Sequence, residues 1–318
     1  MFNARQRSDA REFVRLLVAL GADDFDSIVE QGTDFLGGGP EAGSLLRELA
    51  VEEFSTYLSG QPAWPEALDS DRLLRAFRDL ELAGIVARAD FACCQSCGIA
   101  EIGGEVPDDE RHAYRGYVFC HRQDMRDVVD GGRLSLAYGR FNDALVPVDQ
   151  ADIGREVAET IRRHGLEVRW NGDPGIRIEV PLTWRRRRFG RLATWPGGPS
   201  PSSTGPYHLT VSYCDYRLGR YEDEPVPMSL AQARSLLLDL IPRAGNFAVF
   251  VGRSGGVIQM RWEDGRRLWL EAPDQEARHS RGRHVTPDEA DDLVTILARE
   301  DRVAIDRLGD LETHPWDA

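Results

Sequence analysis

Residues 151–180 read ADIGREVAETIRRHGLEVRWNGDPGIRIEV, and one periodicity gives way to another along them. Ile153, Val157 and Ile161 recur at four-residue spacing, so 151–165 is expected to form an amphipathic helix. Beyond Gly165, LEVRW and IRIEV are short runs of strand formers around NGDPG, whose Asn, Gly and Pro suit a turn. Upstream, GYVFCH (116–121) and LSLAYG (134–139) read as short buried strands, and RQDMRDVVDGG between them is long enough for a short helix. Strand, helix, strand, helix and two strands in that order point to a small α+β or α/β sheet domain over 91–194.

Residues 1–90 read as helices. SDAREFVRLLVALG offers Ser8 as N-cap and Gly21 as stop. EAGSLLRELAVEEFSTYLSG and DSDRLLRAFRDLELAGI continue the helical spacing, and Gly84 suits a left-handed closing position with Ile85 folding back. WPGGPSPSSTGP (195–206) is expected to be a linker. In 207–318, YHLTVSYC alternates Leu209, Val211 and Tyr213 on one face, SLAQARSLLLDL opens with a Ser229–Gln232 capping pair, and FAVFV, VIQMRW and LWLEA read as strands. TPDEADDLVTILA closes the region with Thr286 as N-cap, Pro287 at the first helical position and Glu289 completing a capping box. The expected fold class is α+β: a helical N-terminal region on a small mixed sheet domain, then a second small α+β domain.

The 318 residues are 42% hydrophobic and 29% charged, as in an ordinary soluble globular protein. Apolar runs stay short of membrane-spanning length, and MFNARQRSDAR lacks the apolar core of a signal peptide, so a cytoplasmic location without membrane association is expected. A net charge of −14 disfavours nonspecific nucleic-acid binding. All 39 basic residues counted as Lys or Arg are Arg. Without lysine, a Walker-type phosphate loop and Schiff-base chemistry are excluded.

Three of the five cysteines fall in FACCQSCGIAEIGG (91–104). An odd number, locally clustered, is not a disulfide framework. If Cys94 begins a helix, Cys94, Cys97 and Glu101 share a face at about 100° per residue, and the helix N-terminus lowers the thiol pKa. A zinc site of Cys94, Cys97 and His121, completed by a carboxylate or water, is one reading. Cys120, His112, Glu101 and Asp124 are further candidates, although Cys120 and His121, adjacent on a strand, would face opposite ways. Thiol redox chemistry is a second reading. It is weakened because the motif follows a helix and the short IVARADF rather than a strand. Plain burial of small apolar thiols is the third.

The strings LLRAFRDLELAGIVARADFACCQSCGIAEIGGE, GYVFCHRQDM, GGRLSLAYG and IGREVAETIRRHGLEVRWNG, over roughly 70–190, resemble a mainly actinobacterial family known as domain of unknown function 6891. The family's double-Cys, Cys-x-x-Cys-Gly core and its Tyr-Val-Phe-x-His-x-Gln-Asp strand end correspond to Cys93, Cys94, Cys97, Gly98, His121, Gln123 and Asp124; Cys120 departs from the pattern. The resemblance implies no activity. The C-terminal region is loosely similar to small α/β modules of bacterial toxin-immunity proteins.

TWRRRRFGR places Arg185, Arg186, Arg187 and Arg188 in a row, either an anion-binding patch or a solvated strand end pairing with the acidic N-terminal helices. GRSGG (252–256) reads as a hairpin turn without a nucleophile elbow, LGGGP (36–40) and RHSRGRH (278–284) as loops, and DLETHPWD as a polar tail docked by Trp316. The chain is expected to be a non-enzymatic binding or interaction protein with a protein partner. Its functional surface would lie around Cys93, Cys94, Cys97, Glu101, His121, Gln123 and Asp124, with zinc as the metal to consider. The alternative is a thiol- or metal-dependent enzyme using the same residues.

Overall fold

A computed structural model describes residues 2–142, 148–199, 208–216 and 219–316. The chain forms two compact units, Met1–Arg188 with Trp195–Gly198, and Phe189–Thr194 with Pro199–Ala318. The architecture is α+β. Among the described residues no helix is long and apolar enough to cross a membrane.

The first unit begins with α1 (Ala4–Leu20), α2 (Phe25–Phe35), α3 (Pro40–Gly60) and α4 (Asp69–Leu82). α1 starts earlier than Ser8, because Asn3 forms a reciprocal capping box with Gln6, and it stops at Gly21, whose φ is 72°. Gly84, at φ 83°, turns the chain out of α4 into β1 (Ile85–Arg88). α5 (Gln95–Glu101), β2 (Gly116–Phe119), α6 (Arg122–Val129), β3 (Leu134–Arg140), α7 (Gln150–Arg163) and β4 (Ile178–Val180) follow. LEVRW forms, among the described residues, an isolated bridge from Arg169 to Glu179 of β4 rather than a strand, so this expected strand is reduced to one pair.

The sheet order is β1-β2-β3-β4, with β1 and β2 parallel and the remaining pairs antiparallel. Its faces separate by the alternation of strand side chains. Ile85, Ala87, Val118, Leu134, Leu136 and Ile178 join the main core with residues of the flanking helices, including Ile153, Val157 and Ile161 of α7. Val86, Phe119 and Ala137 face a second, smaller core containing Ile102, Val106 and Tyr114. This smaller core carries α5.

The arginine row is not a strand, and three of its four arginines are not solvated, although the row does pair with an acidic N-terminal helix through Asp71 of α4. Residues 181–189 are irregular, and Arg186, Arg187 and Arg188 are buried. Arg186 and Arg187 share the Asp71 carboxylate at 3.4 and 2.9 Å. Arg188 donates to the carbonyls of Val18 (2.9 Å) and Asp23 and lies 4.6 Å from the Phe54 ring centroid. Arg185 alone of the four is exposed, over the Trp64 ring. Buried carbonyls and one acidic residue thus occupy the guanidinium groups of Arg186, Arg187 and Arg188, three of the four in the expected anion patch.

The second unit contains β5 (His208–Asp215), β6 (Arg220–Ser229), α8 (Leu230–Asp239), β7 (Phe247–Val251), β8 (Val257–Glu263), β9 (Arg267–Asp274), β10 (His279–Val285), α9 (Pro287–Glu300) and β11 (Glu312–Pro315). Its antiparallel sheet runs β11-β10-β9-β8-β7-β5-β6. β6, with Pro225 and Pro227, occupies an edge, where a missing donor costs little. RHSRGRH, expected as a loop, is most of β10, and the C-terminal tail is the edge strand β11. Trp316 anchors that tail by donating its indole N–H to Ser280 Oγ at 3.0 Å. Ser229 and Thr286 form the expected capping boxes of α8 and α9. Of the expected linker, 195–198 belongs to the first unit, where Trp195 lies 6.2 Å from the Phe54 ring, and 200–206 lie outside the described residues.

Candidate metal centre

The loop entering α5 is held in a costly backbone. Asp90 and Ala92 adopt φ of 51° and 60°, a left-handed conformation that disfavours side chains with a Cβ. The loop is braced from the end of β2. Arg122 donates to both Asp90 carboxylate oxygens at 2.6 and 2.8 Å, Phe91 N–H donates to the Cys120 carbonyl at 2.8 Å, and Arg122 N–H donates to the Ala92 carbonyl at 3.1 Å. Cys94 then caps α5, and the Gly98 N–H closes the first turn onto its carbonyl at 3.0 Å.

Gly98 is buried against Phe119. A Cβ there would lie 2.3 Å from Phe119 Cε2, so only glycine allows this approach. Gly98→Ala would ordinarily favour a helix, yet here it is expected to destabilise the first unit by about 1–3 kcal/mol through overpacking. Thermal denaturation checks the sign.

The Sγ atoms of Cys93, Cys94 and Cys97 lie within 4.8 Å of one another. Zinc–sulfur bonds of about 2.3 Å imply sulfur–sulfur edges of roughly 3.8 Å in a tetrahedron, so small rotamer changes bring the three onto one ion. Cys93 is exposed and the other two are partly exposed, which removes core packing as their explanation. The backbone N–H of Cys97, then the thiols of Cys97 and Cys93, stabilise the Cys94 thiolate and lower its pKa. The side chains of Cys93 and Cys94 in turn push Cys97 up to about 12. Alkylation of Cys94 is therefore expected to rise with pH through a midpoint below the ordinary 9 and then level off, since only the thiolate attacks. A midpoint above that value in a pH–rate series contradicts it.

The other candidates lie elsewhere. His121 is the N-cap of α6, in a reciprocal capping box with Asp124. It is buried, which lowers its pKa, and Asp124 Oδ2 also accepts from Arg177 at 2.5 Å. Cys120 is fully buried with its Sγ 3.4 Å from Met125 Sδ, and burial pushes its thiol up to about 12. Glu101, His112 and Gln123 are exposed. Among the described residues, the group of His, Cys, Asp and Glu side chains placed to hold a metal is the three thiols, so Cys93 stands where the sequence reading put His121. Two adjacent cysteines were the available signal for it. Sequence reading missed the Asp90–Arg122 brace altogether, since nothing local links an acidic residue to an arginine 32 positions later.

The strand β1 also overturns one premise of the sequence reading. IVAR is a strand, parallel to β2, so the Cys-x-x-Cys pair begins the helix of a β–α–β connection.

The family model described as Domain of unknown function (DUF6891) matches residues 3–188. The chain belongs to this family. The match takes in the N-terminal helices as well as the roughly 70–190 that carry the sequence resemblance, and it ends at Arg188, where the first stretch of the first unit ends. The cysteine group therefore lies inside the DUF6891 domain, and the second unit lies beyond it. No curated protein and no solved structure matches the chain.

Proposed function

We propose that the DUF6891 domain of this chain is a binding module that holds one soft metal ion, zinc foremost, on Cys93, Cys94 and Cys97. The observation that carries the reading is the mutual approach of three surface thiols on a braced loop. Thiolates suit zinc and other soft ions, and a neighbouring thiol of depressed pKa lowers the proton cost of binding. Three ligands leave a fourth position, which water or a donor from a protein partner completes. The role is therefore one of metal-dependent interaction rather than of a closed structural site. Native mass spectrometry of untagged protein titrated with zinc tests it. One ion per chain is expected in the wild type and none at this site in a Cys93/Cys94/Cys97→Ser variant; equal loading of both removes the proposal.

A second reading, thiol–disulfide exchange, is favoured by the β1–α5–β2 setting and by the unequal acidity of Cys94 and Cys97. It needs only that pair. Dependence on Cys93 separates the two.

A further inference from the structure

The sheet of the second unit has a face whose chemistry the DUF6891 domain does not explain. Along β7, β8 and β9, Ala248, Phe250, Ile258, Leu268 and Leu270 are buried on one side. Phe247, Val249, Gln259 and Glu271 alternate to the other side, where they line a cavity of about 270 Å³. Glu271 is held there by two donors. The Trp269 indole N–H reaches Oε2 at 2.8 Å, and the Gln259 side-chain amide donates to Oε1. Among the described residues both of these partners are neutral, so the carboxylate is oriented without being neutralised.

The guanidinium at the rim does not neutralise it either. Arg261 lines the cavity but donates through Nε and Nη2 to Glu263 Oε1, at 3.1 and 3.0 Å. The remaining walls are apolar. Phe247 and Val249 are half-buried, and among the described residues the Phe247 ring has no aromatic or cationic partner. Gly245 lines the mouth at φ 94°, and the ring of the exposed Tyr216 lies against it, 3.1 Å from where a Cβ would sit.

We infer that this cavity binds a small organic cation, a primary ammonium on a hydrocarbon or aryl body. The ammonium N–H groups satisfy the free lone pairs of Glu271, the Phe247 face adds a cation–π contact, and the body fills the apolar wall. A carboxylate fixed beforehand by Trp269 and Gln259 need not be ordered when the ligand arrives. A chain of net charge −14 also draws cations toward it. This site is independent of the thiols.

The test is an NMR titration of the full chain with 2-phenylethylammonium and, separately, with its uncharged counterpart 2-phenylethanol. The amine is expected to give saturable shifts at the amides of Gly245, Phe247, Val249 and Glu271 and to bind at least about tenfold more tightly than the alcohol, as a charge-assisted hydrogen bond requires. Glu271→Gln keeps the shape and is expected to erase that preference. Phe247→Leu keeps the apolar volume and is expected to weaken the amine more than the alcohol. No saturation up to about 20 mM amine, twentyfold beyond a millimolar affinity, overturns the inference. So does equal binding of amine and alcohol, or a preference that survives Glu271→Gln. Shifts produced by a lysine-containing peptide but not by the amine would overturn it in favour of a protein-docking surface.

Discussion

Arg88→Met is expected to destabilise the first unit by about 3–5 kcal/mol, a fall in melting temperature of roughly 10 °C. Arg88 is 4% exposed at the end of β1. It pairs with Glu81 of α4 and, through Nε, with Glu105 at 2.6 Å. Burial alone would lower its pKa, but the two carboxylates outweigh it and raise the value, so the guanidinium stays charged. Glu81 also accepts from the Ala87 N–H (2.9 Å) and the Tyr114 hydroxyl (3.3 Å), so removing Arg88 takes a paired guanidinium away from a buried carboxylate. Adding Glu81→Gln is expected to recover a large part of the loss, because the cost lies in a buried charge deprived of its Arg88 pairing. Glu105 ends the 3-10 turn Ile102–Glu105 that follows α5, so the same variant is expected to loosen the segment that carries the thiols. Chemical denaturation of the single and double variants checks both statements. A loss below about 1 kcal/mol in the single variant would show that the pair contributes no more than a surface bridge.

The second large effect is on metal affinity. Cys94→Ser is expected to weaken zinc at least about 100-fold in competition with a chelator, because it removes one of three soft ligands. Serine is itself a good helix cap, so α5 should persist and the loss should report on the ligand. Cys93→Ser is expected to act similarly, which thiol exchange through Cys94 and Cys97 would not require. His121→Ala is expected to leave zinc affinity unchanged while destabilising α6, since its imidazole belongs to a capping box. A His121 variant that loses zinc while Cys93→Ser keeps it would reinstate the ligand set read from sequence.

Helices and caps were legible because their signals are local. The Ile153–Val157–Ile161 stripe, Gly21, and the boxes at Ser229 and Thr286 each need only four to nine residues of context and appear as expected. β10 was not legible, since its Arg, His, Ser and Gly have weak strand propensity and its pairing with β9 and β11 is a tertiary effect. β6 was hidden by two prolines that only an edge position permits. The arginine row misled because charge predicts exposure until buried acceptors such as Asp71 and the Val18 carbonyl are known. At the thiols, the helical start at Cys94 could be read from the chain, but the identity of the third group could not. His121 and Cys93 both suit zinc by type, and what separates them is tertiary: Cys93 follows a loop with left-handed residues at Asp90 and Ala92 and lies by Cys94 and Cys97, while His121 caps α6.

The most direct measurement is residue-resolved alkylation by mass spectrometry near neutral pH, on metal-free protein, with zinc added, and with zinc followed by chelator. The expected result is rapid labelling of the Cys93–Cys94–Cys97 group when metal-free, joint protection of all three by zinc and recovery on chelation. Cys214 should be indifferent to zinc, and the buried Cys120 silent until denaturation. Labelling of the three cysteines that zinc leaves unchanged, or protection that extends to Cys94 and Cys97 but not to Cys93, would contradict a three-thiolate metal centre.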